Sequence, residues 1–218
     1  MSGKSTASEI VRRRSGRDTR AEILAVAERY FADRGFEATR LEDVATKVGI
    51  KRAAIFYHFR DKQDLYMAVL ADVFGDLGEA LPSGGSATDR LEASMIGWID
   101  FIAQRPNVVR LILREAANVQ LRKATPFTHA GKATSDWFSG VIAEGIASGE
   151  FHPRIEPYRF MSLMGAITIF HFAAMPWLVL DQPVDPWGRA ELDKHKREIL
   201  LVARTMLGIE SPTPPDKA

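Results

Sequence analysis

Apolar residues recur along this chain at spacings of three and four. Nowhere do they alternate with polar residues over the length of a strand, so the pattern predicts helices throughout and no sheet. In the first helix Thr19 and Glu22 stand at capping-box spacing, Leu24, Ala27 and Phe31 form one stripe, and Gly35 is the stop. "TRLEDVATKVG" begins a second helix with Thr39 as N-cap, turns Leu41, Val44, Ala45 and Val48 inward, and ends at Gly49. A third helix follows over 51–58; Asp61 then caps a fourth carrying Leu65, Val69, Val73 and Leu77.

"LPSGGSATD" (81–89) is the clearest break in the pattern. Longer helices are expected beyond it, over 88–104, 106–121, 126–148, 156–180 and 188–207, followed by the Pro-rich tail "ESPTPPDKA". Residues 160–180 lack a formal charge over 21 positions, long enough for a bilayer. Ser162, Thr168, His171 and Pro176 interrupt the run and no second such segment exists, so it reads as a helix covered by protein, as at a subunit interface, with no membrane partner.

Composition changes this picture in two places. The absence of cysteine excludes disulfides, thiolate nucleophiles and cysteine-ligated metals; it fits a reducing, cytoplasmic location, as does a start without the apolar core of a signal peptide. The net charge of +1 conceals an asymmetry: residues 1–62 hold 14 Lys+Arg against 9 Asp+Glu, and the remainder 15 against 19. A basic first third suits a polyanionic partner, although solvated charge on a small helical unit accounts for the count equally.

Two short helices meeting at Gly49 form a helix-turn-helix unit, whose second helix enters the DNA major groove. Phe56, Tyr57, His58 and Phe59 are consecutive, so a helix of 3.6 residues per turn cannot bury all four in one core. Ile55 and Phe59, one turn apart, would seal the helix to its neighbours. Lys51, Arg52, Ala53 and Ala54 would lead it toward base edges, and Tyr57 and His58 would present polar atoms to bases or phosphates. Lys62 opens the fourth helix against the dipole, which a phosphate would relieve. A core aromatic cluster ringed by solvated cations is the competing reading.

Residues 19–65, "TRAEILAVAERYFADRGFEATRLEDVATKVGIKRAAIFYHFRDKQDL", closely resemble the N-terminal domain of the tetracycline-repressor (TetR) family of transcriptional regulators. The likeness is nearly continuous, through "RGFEAT", "DVA", "VGI" and "YHF". It implies an all-helical homodimer, with three-helix heads on double-stranded operator DNA and larger helical bodies that sense a small-molecule effector and dimerise. It also implies a division into a flexible basic arm (1–17), the helix-turn-helix domain (18–60), the sensing and dimerising domain (61–208) and a disordered tail (209–218). On the family's pattern Lys51, Arg52, Ala53, Ala54, Tyr57 and His58 read DNA, while Thr39, Arg40 and Lys62 touch its backbone. Lys51 stands where serine or threonine is common, Ala53–Ala54 where Gly-Thr is frequent, and Phe56 where a tyrosine hydroxyl often meets phosphate, which suggests an operator of its own. Arg12, Arg13, Arg14 and Arg17 form a basic arm suited either to a narrow minor groove or to solvent.

For the body, small Gly165, Ala166, Ala173 and Ala174 on one helix, with Ile199, Leu200, Val202, Ala203 and Met206 on another, make 156–180 and 188–207 the expected dimer interface. Trp98, Phe101, Ile102, Leu111, Trp137, Phe138, Met164, Phe170, His171 and Trp177 are the candidate effector pocket, each of them otherwise core. Glu115 and Asn118 are polar candidates beside them.

Other chemistry fails on spacing. "GKST" at 3–6 and "GKATS" at 131–135 each lack the leading glycine of a phosphate-binding loop, no two histidines lie one helical turn apart, and no G-x-S-x-G occurs. No catalytic residue, metal or cofactor is therefore expected. The expected function is a ligand-responsive regulator, most simply a repressor released by an apolar or aromatic effector. The alternatives are a constitutive DNA-binding protein and a helical enzyme with an accessory DNA-binding head.

Overall fold

The computed structural model describes residues 16–75, 81–117, 126–178, 181 and 184–209. Arg12–Arg14, Leu77, Asn118 and the tail beyond Ile209 therefore lie outside the described residues, as does the Arg17 side chain. Every regular element among them is an α-helix: α1 (Gly16–Ala38), α2 (Leu41–Val48), α3 (Arg52–His58), α4 (Lys62–Phe74), α5 (Ala87–Gln104), α6 (Asn107–Ala117), α7 (Pro126–Ser148), α8 (Pro157–Leu178) and α9 (Arg189–Leu207). The chain divides into two compact units, one ending at Asp72 and the other beginning at Val73, so the boundary falls inside α4.

In the first unit the expected stripes are the core. Leu24, Ala27 and Phe31 of α1, the four apolar positions of α2, and Leu65 and Val69 of α4 are all buried, joined by Ile55 and Phe59. Phe31, Phe36 and Tyr66 form an aromatic cluster that ties the start of α4 to the end of α1. The register differs from expectation at two helix starts. α1 begins at Gly16, which places Thr19 inside it, and Arg40 rather than Thr39 occupies the N-cap of α2, with no side-chain cap. At Gly35 the backbone turns to φ 80°, ψ 173°, breaking the helical ladder. The buried Thr39 hydroxyl answers that break by donating to the Gly35 carbonyl at 2.7 Å and the Tyr30 carbonyl at 3.1 Å.

In the second unit α5 packs on α7 and α9, and α8 on α6, α7 and α9. Ser86 and Asp89 form a reciprocal capping box at the start of α5. The Glu150 carboxylate, from the α7–α8 loop, accepts from the Ala87 and Thr88 amides and from both the Thr88 and Ser148 hydroxyls. Four donors favour the ionised form, led by the Thr88 amide, and pull Glu150 from an ordinary 4.5 down to about 2. That loop also hydrogen-bonds the end of α9 through His152 to Leu207 and Arg154 to Met206. No helix among the described residues is long and apolar enough to cross a membrane.

Candidate nucleic-acid interface and effector cavity

The turn between α2 and α3 is built by Gly49, whose φ of 81° lets its amide reach the Ala45 and Thr46 carbonyls at 2.9 and 3.2 Å. Ile50 donates to the Ala45 carbonyl as well, at 3.0 Å, so the chain reverses within three residues and α3 starts at Arg52. Ile55 is the buried residue of α3, and Phe59 is buried at its C-cap, where the Arg20 guanidinium lies over its ring. The opposite side of α3 is open: Lys51, Arg52 and Ala53 are exposed, Ala54 and His58 half-buried, and Tyr57 is 86 % exposed. One short helix thus has one sealed face and one solvent-exposed aromatic-and-basic face.

Arg52 is held on that open face. Its Nε lies 3.1 Å from Oε1 of Glu42 on α2, and its guanidinium rests 5.3 Å from the centre of the Phe56 ring. The ion pair is made through Nε and not through the terminal nitrogens of the fork, the part of arginine that pairs with guanine. Phe56, where a tyrosine hydroxyl was missed in the sequence, serves as a platform for Arg52 instead. Tyr57 and His58 meet edge to face at 5.2 Å.

Two residues expected to touch the DNA backbone have their polar atoms engaged within the head. Thr39 is 1 % exposed and its hydroxyl is spent on the kink at Gly35. Lys62 donates from Nζ to the Glu37 and Thr39 carbonyls, each at 3.0 Å, with Nζ 4.4 Å from the centre of the Phe36 ring. Those carbonyls, at the broken end of α1, are what offsets an ammonium at the N-terminus of α4; no phosphate is needed to explain it. Arg40, the third of the set, is exposed beside them.

The second unit contains a cavity of about 800 Å³, within the usual range for small-molecule sites. Of the residues expected to line it, Trp98, Phe101, Phe138 and Met164 do so. Trp98 and Phe101 stack 5.7 Å apart, and Phe138 tilts against Phe160, which also lines the space. The other six are elsewhere. Ile102 and Leu111 are fully buried core, and Trp137 packs edge-on against Phe138 outside the lining. His171 stacks on His195, while Phe170 and Trp177 face outward at 57 and 78 % exposure. Helical phase explains the split: Met164 and Thr168 share the inner face of α8, whereas Phe170 and Trp177 project from the other side. Buried Glu115 is not part of the lining.

Sequence reading missed the small and hydroxylated positions. Gly97, Ala130, Gly131 and Gly165 make room, and Ser94, Thr134, Ser162 and Thr168 supply the hydroxyls. Their signal was a run of small residues facing large aromatics across α5, α7 and α8, which periodicity weighted by bulk overlooks. Among the described residues, no Asp, Glu, Lys, Arg or His lines the cavity.

On the outward face of α8, Leu163, Ile167, Phe170, Trp177 and Leu178 are all more than a third exposed, and Leu201 of α9 is 66 % exposed. Spacings of three, four and seven align Leu163, Ile167, Phe170 and Trp177 as one apolar stripe, with Leu178 beside its end.

Comparison with known proteins bears on both units. The pattern described as bacterial regulatory proteins, tetR family, matches residues 23–69, and that of a tetracyclin repressor-like C-terminal domain matches 84–171. The transcriptional activator FasR of Mycolicibacterium smegmatis is 27 % identical over 173 residues, covering 77 % of this chain and 76 % of that protein. The transcriptional repressor KstR2 of the same organism is 28 % identical over 150 residues, covering 65 and 73 %. Among solved structures, FadR of Bacillus subtilis, in complex with stearoyl-CoA, superposes with a TM-score of 0.62 at 16 % identity over 87 % of this chain and 99 % of that one. AibR in complex with isovaleryl coenzyme A and operator DNA gives 0.66 at 14 % over 88 and 100 %. Family patterns matched in both units, and a shared all-helical architecture, establish that this chain belongs to the TetR family of transcriptional regulators.

Proposed function

We propose that the protein is a repressor that binds double-stranded operator DNA as a homodimer and leaves it when an uncharged, apolar small molecule fills the cavity. The observation that carries the DNA-binding reading is the open face of α3, where Arg52 is held by Glu42 through Nε and by the Phe56 ring. Lys51, Ala53, Ala54 and Tyr57 flank it; His58 and Arg40 extend the same basic surface to the DNA backbone. Thr39 and Lys62 support that surface from behind by fixing the end of α1. The second copy docks on the apolar stripe of α8 and Leu201, which would otherwise stand in water.

The effector reading rests on the lining. Burying an ion among apolar and hydroxyl groups costs several kcal/mol, on the order of the whole affinity of a micromolar ligand, so the enclosed part of the effector is neutral. Stearoyl-CoA and isovaleryl coenzyme A in the two neighbours favour an acyl chain with its charged portion left outside. The effector acts by binding the non-operator conformation better than the other, since equal affinity shifts nothing.

Gel-shift titration on the promoter of its own gene tests this at two salt concentrations, with and without acyl thioesters. Expected are specific binding that weakens steeply with salt and release by a thioester but not by coenzyme A alone. A flat salt response counts against the DNA interface; binding unaffected by any apolar compound favours a constitutive regulator.

A further inference from the structure

We propose that the stacked pair His171–His195 is a proton-sensitive latch between α8 and α9, so that mild acid loosens these helices and the association of two copies through them. The rings lie 3.8 Å apart and 12° from parallel, with His171 9 % and His195 3 % exposed. Phe172 stands edge-on to both, and Trp187 closes over Phe172 at 4.5 Å. Neither Nε2 has a hydrogen-bond partner among the described residues. Neutral imidazoles can stack in such a place, but a proton on Nε2 has no acceptor and two imidazolium rings would repel at contact.

The surrounding charges do not undo this. On α9, Glu191 and Glu198 favour a proton on His171 and Lys194 opposes it, while burial outweighs them and holds His171 below the ordinary range. Burial, then the neighbouring His171, pushes His195 from 6.5 down to about 4. On α5, Asp100 is paired with Lys196 and Glu92 with Arg204. On α7, Lys132 and Asp136 pair with each other and Glu144 with Arg90. Buried Glu115 is the acid of α6, and α8 itself brings Arg159. A histidine kept neutral by folding binds fewer protons folded than unfolded. Its contribution is therefore intact above about pH 6.5 and lost as pH falls toward about 4.

Loosening of the assembly rests on the homodimer reading above, so the test separates the two. The dimer dissociation constant is measured by sedimentation at pH 7.5 and 5.5 for the wild type and for H171F/H195F. Expected is a rise of about three- to tenfold for the wild type, tenfold being what the His195 shift supplies at pH 5.5, and a smaller rise for the variant; equal rises overturn the latch. Hydrogen exchange on the wild type, corrected for intrinsic rates, covers a variant that fails to fold. Protection of α8 and α9 then falls at pH 5.5 relative to α5, and unchanged relative protection overturns the proposal. A wild type that is monomeric at pH 7.5 defeats the homodimer reading, and the exchange contrast alone decides the latch.

Discussion

Glu42 and Arg52 meet across the turn between α2 and α3, Oε1 to Nε, at 3.1 Å. Both side chains are half exposed, so the pair itself adds little stability, under about 1 kcal/mol. Its effect is orientation: the bond takes Nε and, on the proposed reading, leaves the terminal nitrogens to a base.

Arg52→Ala is expected to cost about 1–3 kcal/mol on the best operator and to relax preference at one base pair. Glu42→Ala should give a smaller loss at the same base pair, because the fork remains but is less ordered. Binding titrations against operators mutated one base pair at a time check both. Uniform weakening on all sequences would count against direct readout by Arg52.

Lys62→Ala is expected to lower the melting temperature of the head, since two carbonyls at the end of α1 lose their shared donor, a cost of about 1–2 kcal/mol. The slope of log affinity against log salt should stay the same. A slope reduced by about one unit would instead assign Lys62 to a phosphate.

Glu150 makes stability pH-dependent. Its carboxylate is held down to about 2, so its contribution is complete above about pH 4.5 and is lost as pH falls toward 2. Glu150→Gln should melt lower than wild type at pH 7, with the gap narrowing as pH falls from 4.5 toward 2. A constant gap across that range would mean that charge is not what matters at the start of α5.

Gly165 lines the cavity, and a Cβ placed there meets nothing within 4 Å. Gly165→Leu should fill part of the space and weaken release by the effector at least about tenfold, the equivalent of 1.4 kcal/mol, while leaving DNA affinity intact. Effector titrations of the preformed complex measure this. Unchanged release would place the effector elsewhere.

Phe170 sits mid-stripe on α8 with 57 % of its surface open. Phe170→Glu should leave the fold intact and raise the dimer dissociation constant at least about a hundredfold, as expected when a charge is forced into an apolar contact. Sedimentation with circular dichroism checks both halves; an undisturbed dimer would move the interface off α8.

The order and approximate length of the helices were legible because each carries its own period and stop signals. Gly49 demands a left-handed turn, and Leu41, Val44, Ala45 and Val48 leave α2 only one way to face. Ile55 and Phe59 were readable as the sealed side of α3 by the same logic. Position on a helix does not reveal which neighbour takes up a polar group, so the internal partners of Thr39 and Lys62 were not legible in the sequence. Thr39 and Lys62 both carry atoms suited to phosphate, yet a break at Gly35 placed unsatisfied carbonyls within their reach.

The cavity divides in the same way. Trp98, Phe101, Phe138 and Met164 were readable as apolar bulk, but bulk alone could not separate them from Phe170 and Trp177 on the outside or from Ile102 and Leu111 in the core. That separation depends on how α8 is rotated against α6, α7 and α9, a relation between helices distant in sequence. By itself the sequence determined the helices, the helix-turn-helix unit and the family, because these follow from local periodicity and ordered motifs. Only the tertiary structure decided which polar atoms are spent inside the head, which face of α8 is outward and that two histidines stack in the core, because each depends on packing between separate helices.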